Sequence, residues 1–96
     1  MEYWMERGAV NVVRGWLELG MERRQRMRAA GEACRGMEPE LVERMEKAMR
    51  ENLVDGNRAP IYRMIAKYEL PISERDFIRK RNRYCWELGE VLGVRS

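Results

Sequence analysis

The chain has 96 residues, a formal net charge of +3, no histidine and two cysteines. That length fits one domain with a modest core, and no stretch approaches the roughly 18 apolar residues of a membrane span. Without histidine the chain lacks the usual proton shuttle and the commonest metal ligand, and Cys34 with Cys85 make neither a zinc site nor a disulfide framework.

We therefore expect no catalytic residues, no metal, no cofactor and no leader, in a cytoplasmic protein whose two thiols are buried or half-buried. The abundance of Met, Glu, Arg and Leu with only three prolines predicts an all-α chain. Its periodicity suggests a single domain over residues 1–96, a small helical bundle of about four helices.

Residues 1–36 read as an amino-terminal helical segment. A helix from Tyr3 to about Arg28 or Ala33 places Trp4, Val10, Val13, Trp16, Leu17, Gly20, Met21 and Met27 near one side. Gly8, Gly15 and Gly20 each weaken it by about 1 kcal/mol relative to alanine, which favours a break or bend near Gly20. Gly31 and Gly36 end the segment, with Cys34 between them. Arg23, Arg24, Arg26 and Arg28 put four arginines in six residues. A solvated helix face is the plainer reading of that run, and a phosphate-lining face is the sharper one.

Residues 38–54 predict a packing helix. Pro39 suits its first turn, and Glu38, Glu40 and Glu43 suit the positive end of its dipole. Leu41, Met45, Ala48, Met49 and Leu53 form an inward stripe, and Lys47 and Arg50 follow Glu43 and Glu46 by four residues. Asp55-Gly56-Asn57 then supplies turn chemistry.

Residues 60–93 have the outline of a helix-turn-helix. Pro60 can begin a short helix with Ile61, Met64, Ile65 and Tyr68 on one face, and Pro71 forces a break around Glu69-Leu70-Pro71-Ile72. Ser73 is a good N-cap for a second helix, Asp76 stands at the capping-box position, and Ile72 and Phe77 fit the hydrophobic staple. The expected buried stripe is Phe77, Ile78, Tyr84, Cys85, Leu88, Val91 and Leu92. Arg75, Arg79, Lys80, Asn82 and Arg83 lie on or beside the outer face. Arg81 falls near the stripe, where it is expected to pair with an acid of the preceding long helix such as Glu43 or Glu46.

The run Tyr68-Glu69-Leu70-Pro71-Ile72-Ser73-Glu74-Arg75-Asp76-Phe77-Ile78-Arg79-Lys80-Arg81, with Trp86-Glu87-Leu88-Gly89 and Leu92-Gly93 behind it, resembles phage transcriptional regulators of the ArpU and RinA type. Those proteins look like region four of sigma factors. They often close with a leucine-proline-x-serine turn, then threonine-phenylalanine-tyrosine-arginine and a basic helix. Here Asp76 stands in place of the threonine and Ile78 in place of the tyrosine. The resemblance implies a duplex-DNA reader and a contact with RNA polymerase or another host protein.

Charge is unevenly placed in a way that fits this expectation. Residues 1–36 carry seven cations and five anions, residues 37–55 three and six, and residues 56–96 nine and five. An acidic middle thus separates two basic ends. The residues expected to meet DNA are Ser73, Glu74 and Arg75 at base edges, Arg79, Lys80 and Arg83 along the groove or its phosphates, and Tyr62, Arg63 and Lys67 at the backbone. Trp4, Trp16 and Trp86 with eight methionines are read as core or as a homodimer interface, the stretch from Met1 to Leu19 pairing with its copy. The alternative function is a phage accessory protein that binds and inhibits a host protein or nucleoprotein complex without reading DNA.

Overall fold

The structure, a computed structural model, describes residues 3–94. Five α-helices follow one another among them: α1 (Arg7–Leu19), α2 (Arg23–Ala33), α3 (Pro39–Asp55), α4 (Ile61–Lys67) and α5 (Glu74–Leu92), with a single 3₁₀ turn at Gly56–Arg58. The chain is all-α, as its composition suggests. One helix more than expected arises because the first segment breaks at Gly20, which adopts a left-handed conformation at φ +99° and donates its N–H to the Leu17 carbonyl. A side chain there would be strained, so glycine ends α1 where another residue would have extended it. Pro60 sits one position earlier than expected, as the extended cap of α4.

Helix α5 runs through the middle of the bundle and touches α1, α2, α3 and α4. Its broadest contact is with α2, whose buried positions are Ala29, Ala30 and Ala33. Such small side chains let two backbones approach closely. The core between the helices holds Val13, Leu17, Met45, Met49, Met64, Phe77, Tyr84 and Leu88. Both cysteines are free and buried within it. Burial pushes each thiol up to about 11, so both stay protonated at neutral pH.

One carboxylate lies inside this apolar centre. Glu46 is 2 % exposed, and its oxygens accept from Arg26 Nη1 at 3.0 Å, Arg50 Nε at 3.2 Å and Tyr84 Oη at 2.7 Å. The cluster joins α2, α3 and α5 at one point. Burial and the neighbouring Glu46 carboxylate both push the Tyr84 hydroxyl far above its ordinary value, so it remains a donor.

Three expectations are corrected. Arg81 does not pair with Glu43 or Glu46, because Glu43 is taken by Arg23 and Glu46 by Arg26 and Arg50; its Nη1 donates instead to Asn52 Oδ1 at 3.0 Å. Trp4 and Trp16 are not in the core but 70 % and 50 % exposed. Once the chain turns at Gly20, α1 buries Val13 and Leu17, and Trp16 stands about 100° round the helix from Leu17. Ile78 and Val91, at the margins of the buried stripe of α5, are exposed as well.

Candidate nucleic-acid interface

The entry to α5 is built by local sequence and held by one distant side chain. After α4, Glu69 takes a left-handed conformation at φ +51°. Its N–H donates to the Ala66 carbonyl at 3.3 Å, and the Leu70 N–H reaches the Ile65 carbonyl at 2.9 Å. This pair of bonds closes the helix in the Schellman manner. A non-glycine residue in that region costs about 1–2 kcal/mol, so the turn needs further support. Arg44 of α3 supplies it, because Arg44 Nη1 donates to the carbonyls of Tyr68 at 3.1 Å and Glu69 at 3.0 Å. A cation at the negative end of a helix is favourable on its own account.

Helix α4 is tied to α3 at a second place. Glu51 accepts from Tyr68 Oη at 2.6 Å and from Lys67 Nζ at 2.9 Å. The Tyr68 hydroxyl and then the Lys67 ammonium hold the Glu51 carboxyl below its ordinary range.

Beyond the turn, Leu70 is buried and Ile72 packs against the core that contains Phe77. Ser73 caps α5, with its Oγ accepting the Asp76 N–H at 3.1 Å. The first turns of the helix then project from a fixed base. Ser73, Glu74, Arg75, Asp76 and Arg79 are exposed, and only Phe77 faces inward before Lys80, which is half-buried. Asp76 favours the helix start, yet its carboxylate and that of Glu74 flank Arg75 and dilute the positive field there.

The second half of α5 has a cover that no local pattern announced. Residues 3–6 cross its outward side. The Tyr3 ring meets Trp86 edge-on with centroids 5.0 Å apart, and the Arg83 guanidinium lies over the Tyr3 ring at 4.4 Å. Arg83 also donates to the Tyr3 hydroxyl and, through Nε, to Glu87 at 2.9 Å. Met5 packs on Gly89, where a Cβ would come within 2.8 Å of Met5 Cε. Gly89 leaves room for this approach, but Gly8, Gly15 and Gly31 also stand inside helices with nothing near them, so a helical glycine did not by itself mark the place.

The expected DNA contacts therefore fall into two groups. Ser73, Glu74 and Arg75 share one open helix start, and Arg79 beside them is exposed but has a contact of its own. Arg83, Lys67 and Arg63 are engaged locally, by Glu87 and Tyr3, by Glu51, and by the Arg58 carbonyl at 3.3 Å respectively. Lys80 joins Arg79, Arg83, Tyr3 and Ala33 around a shallow surface pocket of about 240 Å³. In the α2 cluster, Arg23 pairs with Glu43 and Arg26 turns inward to Glu46, while Arg24 and Arg28 are exposed.

No helix of the described residues is long and apolar enough to cross a membrane. No family model matches the chain, and no curated protein or solved structure matches it either.

Proposed function

We propose that the chain binds duplex DNA in the cytoplasm, with α4, its turn and α5 acting as a helix-turn-helix, as a small phage or prophage transcriptional regulator would. The observation that carries this reading is the rigidly mounted, outward start of α5. It has a serine cap, a turn pinned by Arg44, and Arg75 and Arg79 one helical turn apart on its open side. In the major groove Arg75 can grip a guanine edge through two hydrogen bonds, Glu74 can accept from a cytosine amine, and Ser73 can reach either partner. Arg79 and Lys80 then follow the groove or its phosphates. Arg79, Arg83, Lys67 and Arg63 contribute by exchanging their present contacts for phosphate oxygens. The protein is proposed as a binder and not as an enzyme.

The outward face of α1 supports self-association as part of the same reading. Val12, Trp16 and Leu19 follow helical spacing and are 38 %, 50 % and 80 % exposed. Met1 and Glu2 of the expected pairing segment lie outside the described residues. The folded chain measures 32 × 29 × 27 Å, so two copies side by side can present their α5 starts at about the 34 Å spacing of successive half-sites. The same apolar face also favours a second reading, an accessory protein that docks on a host protein such as RNA polymerase.

Fluorescence anisotropy with mixed duplex DNA at low and high salt tests the first reading. Micromolar binding that weakens with a log-log slope of about −0.9 per phosphate contact supports it. Absence of salt-sensitive binding, together with stoichiometric recovery of one host protein in a pull-down, favours the second.

A further inference from the structure

Helices α1, α3 and α5 leave between them a cleft of about 320 Å³, lined by Arg14, Asn52, Arg81 and Asn82, with Tyr3 and Trp4 at its amino-terminal rim. This lies within the range of small-molecule sites, about 300–1,000 Å³. Two guanidiniums reach it without a counter-charge. Arg81 donates to Asn52 Oδ1 at 3.0 Å and to Asn82 Oδ1 at 3.1 Å, both neutral acceptors. Asn52 is itself anchored, its Nδ2 donating to the Ala59 carbonyl at 2.7 Å, so it holds Arg81 in place. Arg14 has a single long contact, Nη2 to the Val54 carbonyl at 3.4 Å, and its Nε is buried with no partner.

Of about ten N–H donors on the two groups, the protein satisfies few. No carboxylate of the described residues forms an ion pair with either arginine. Arg26 and Arg50, by contrast, share Glu46 and Arg83 has Glu87, while Arg44, which also has an unpartnered Nε, is committed to the carbonyls of Tyr68 and Glu69 and lines no part of this cleft. Sheltered cations are normally paired, and an unsatisfied buried donor calls for a missing acceptor. Burial without an adjacent acid also lowers the affinity of Arg81 for its proton.

We propose that this cleft binds a small phosphate monoester of about mononucleotide size, gripped by Arg14 and Arg81 and oriented by the Asn82 amide. A phosphate monoester carries about −1.5 to −2 charges at neutral pH and so answers two guanidiniums, whereas a carboxylate answers one. Trp4, largely exposed on the rim, offers a ring face to a planar organic group. The site is separate from the open start of α5, because Arg81 and Asn82 lie on the flank of the helix turned toward α1 and α3.

The test is a titration of the isotopically labelled full chain at constant ionic strength with inorganic phosphate, adenosine 5′-monophosphate, adenosine and acetate, following the arginine Nε–H and asparagine amide resonances. Phosphate and the monophosphate should shift Arg14, Arg81 and Asn82 saturably, the monophosphate about tenfold more tightly, while adenosine and acetate leave them unmoved. Arg14→Gln should weaken the monophosphate at least about tenfold with its circular dichroism unchanged. If that variant does not fold, the site-resolved shifts of the native chain decide. The proposal is overturned by no saturable shift below about 10 mM, by adenosine or acetate binding as well as the monophosphate, or by shifts confined to Arg79, Lys80 and Arg83.

Discussion

From Glu74 to Lys80, α5 turns Arg75, Asp76 and Arg79 to solvent and buries only Phe77, whereas from Arg81 to Leu92 it buries Tyr84, Cys85, Leu88 and Gly89 beneath a crossing segment. The first half is held mainly at its end, by the Ser73 cap and the turn on Arg44. The second half is held along its length, by α2, by the Glu46 cluster and by Tyr3 and Met5. Cations in the two halves consequently have different roles. Arg83 has a carboxylate and an aromatic ring to hold it, while Arg75 stands exposed at the free end. A helix can thus be structural over one stretch and available for recognition over another, and the division is set by what crosses it.

Several substitutions would break that comparison, beginning with the most damaging. Glu46→Ala leaves Arg26 and Arg50 without their shared carboxylate and Tyr84 without an acceptor. Urea unfolding should show a loss of about 3–5 kcal/mol. A loss below about 1 kcal/mol would mean that the cluster does not anchor the second half. Arg75→Ala should change stability by no more than about 0.5 kcal/mol and yet weaken DNA binding by about 1–3 kcal/mol, with relaxed sequence preference. If Arg75→Ala alters only the salt slope, the arginine is a phosphate contact and base reading lies elsewhere.

Ser73→Ala removes the acceptor for the Asp76 N–H. It should lower stability by about 1 kcal/mol, with the loss of hydrogen-exchange protection concentrated in residues 74–80. Glu51→Gln sharpens the contrast through pH. The folded carboxyl is held below its ordinary value, so its contribution is fully present above the unfolded value and fades as pH falls through the folded one. The native chain should exceed the variant by about 1 kcal/mol or less near neutrality, and the two denaturation curves should converge below about pH 4.

Gly89→Ala is expected to have the smallest energetic effect. The new methyl meets the flexible tip of Met5, so the loss of that contact and the gain of about 1 kcal/mol in helix propensity oppose each other. Near-unchanged stability with an altered Trp86 emission would show the crossing segment displaced.

Local features were readable from the chain because they depend on residues within about four positions. Pro71 and Ser73 place the break and the start of α5, Pro39 opens α3, and Gly20 ends α1, each through backbone geometry or a near-neighbour hydrogen bond. The cation-rich outer side of α5 follows in the same way from helical spacing. Arg81 shows where such reasoning stops: its position near the apolar stripe was legible, but its partner, Asn52, depends on which face α3 turns toward α5.

By itself, then, the sequence determined the helices, most of their ends and the charge pattern along them. Tertiary structure alone decided that Trp16 stays outside, that Tyr3 and Met5 cover the second half of α5, that Glu46 gathers two arginines and a tyrosine, and that Arg14 and Arg81 share a cleft without an acid. Each of these depends on the rotation of one helix against another. A shift of one residue turns a side chain by about 100°, and a broad apolar face tolerates more than one such rotation until the bundle packs.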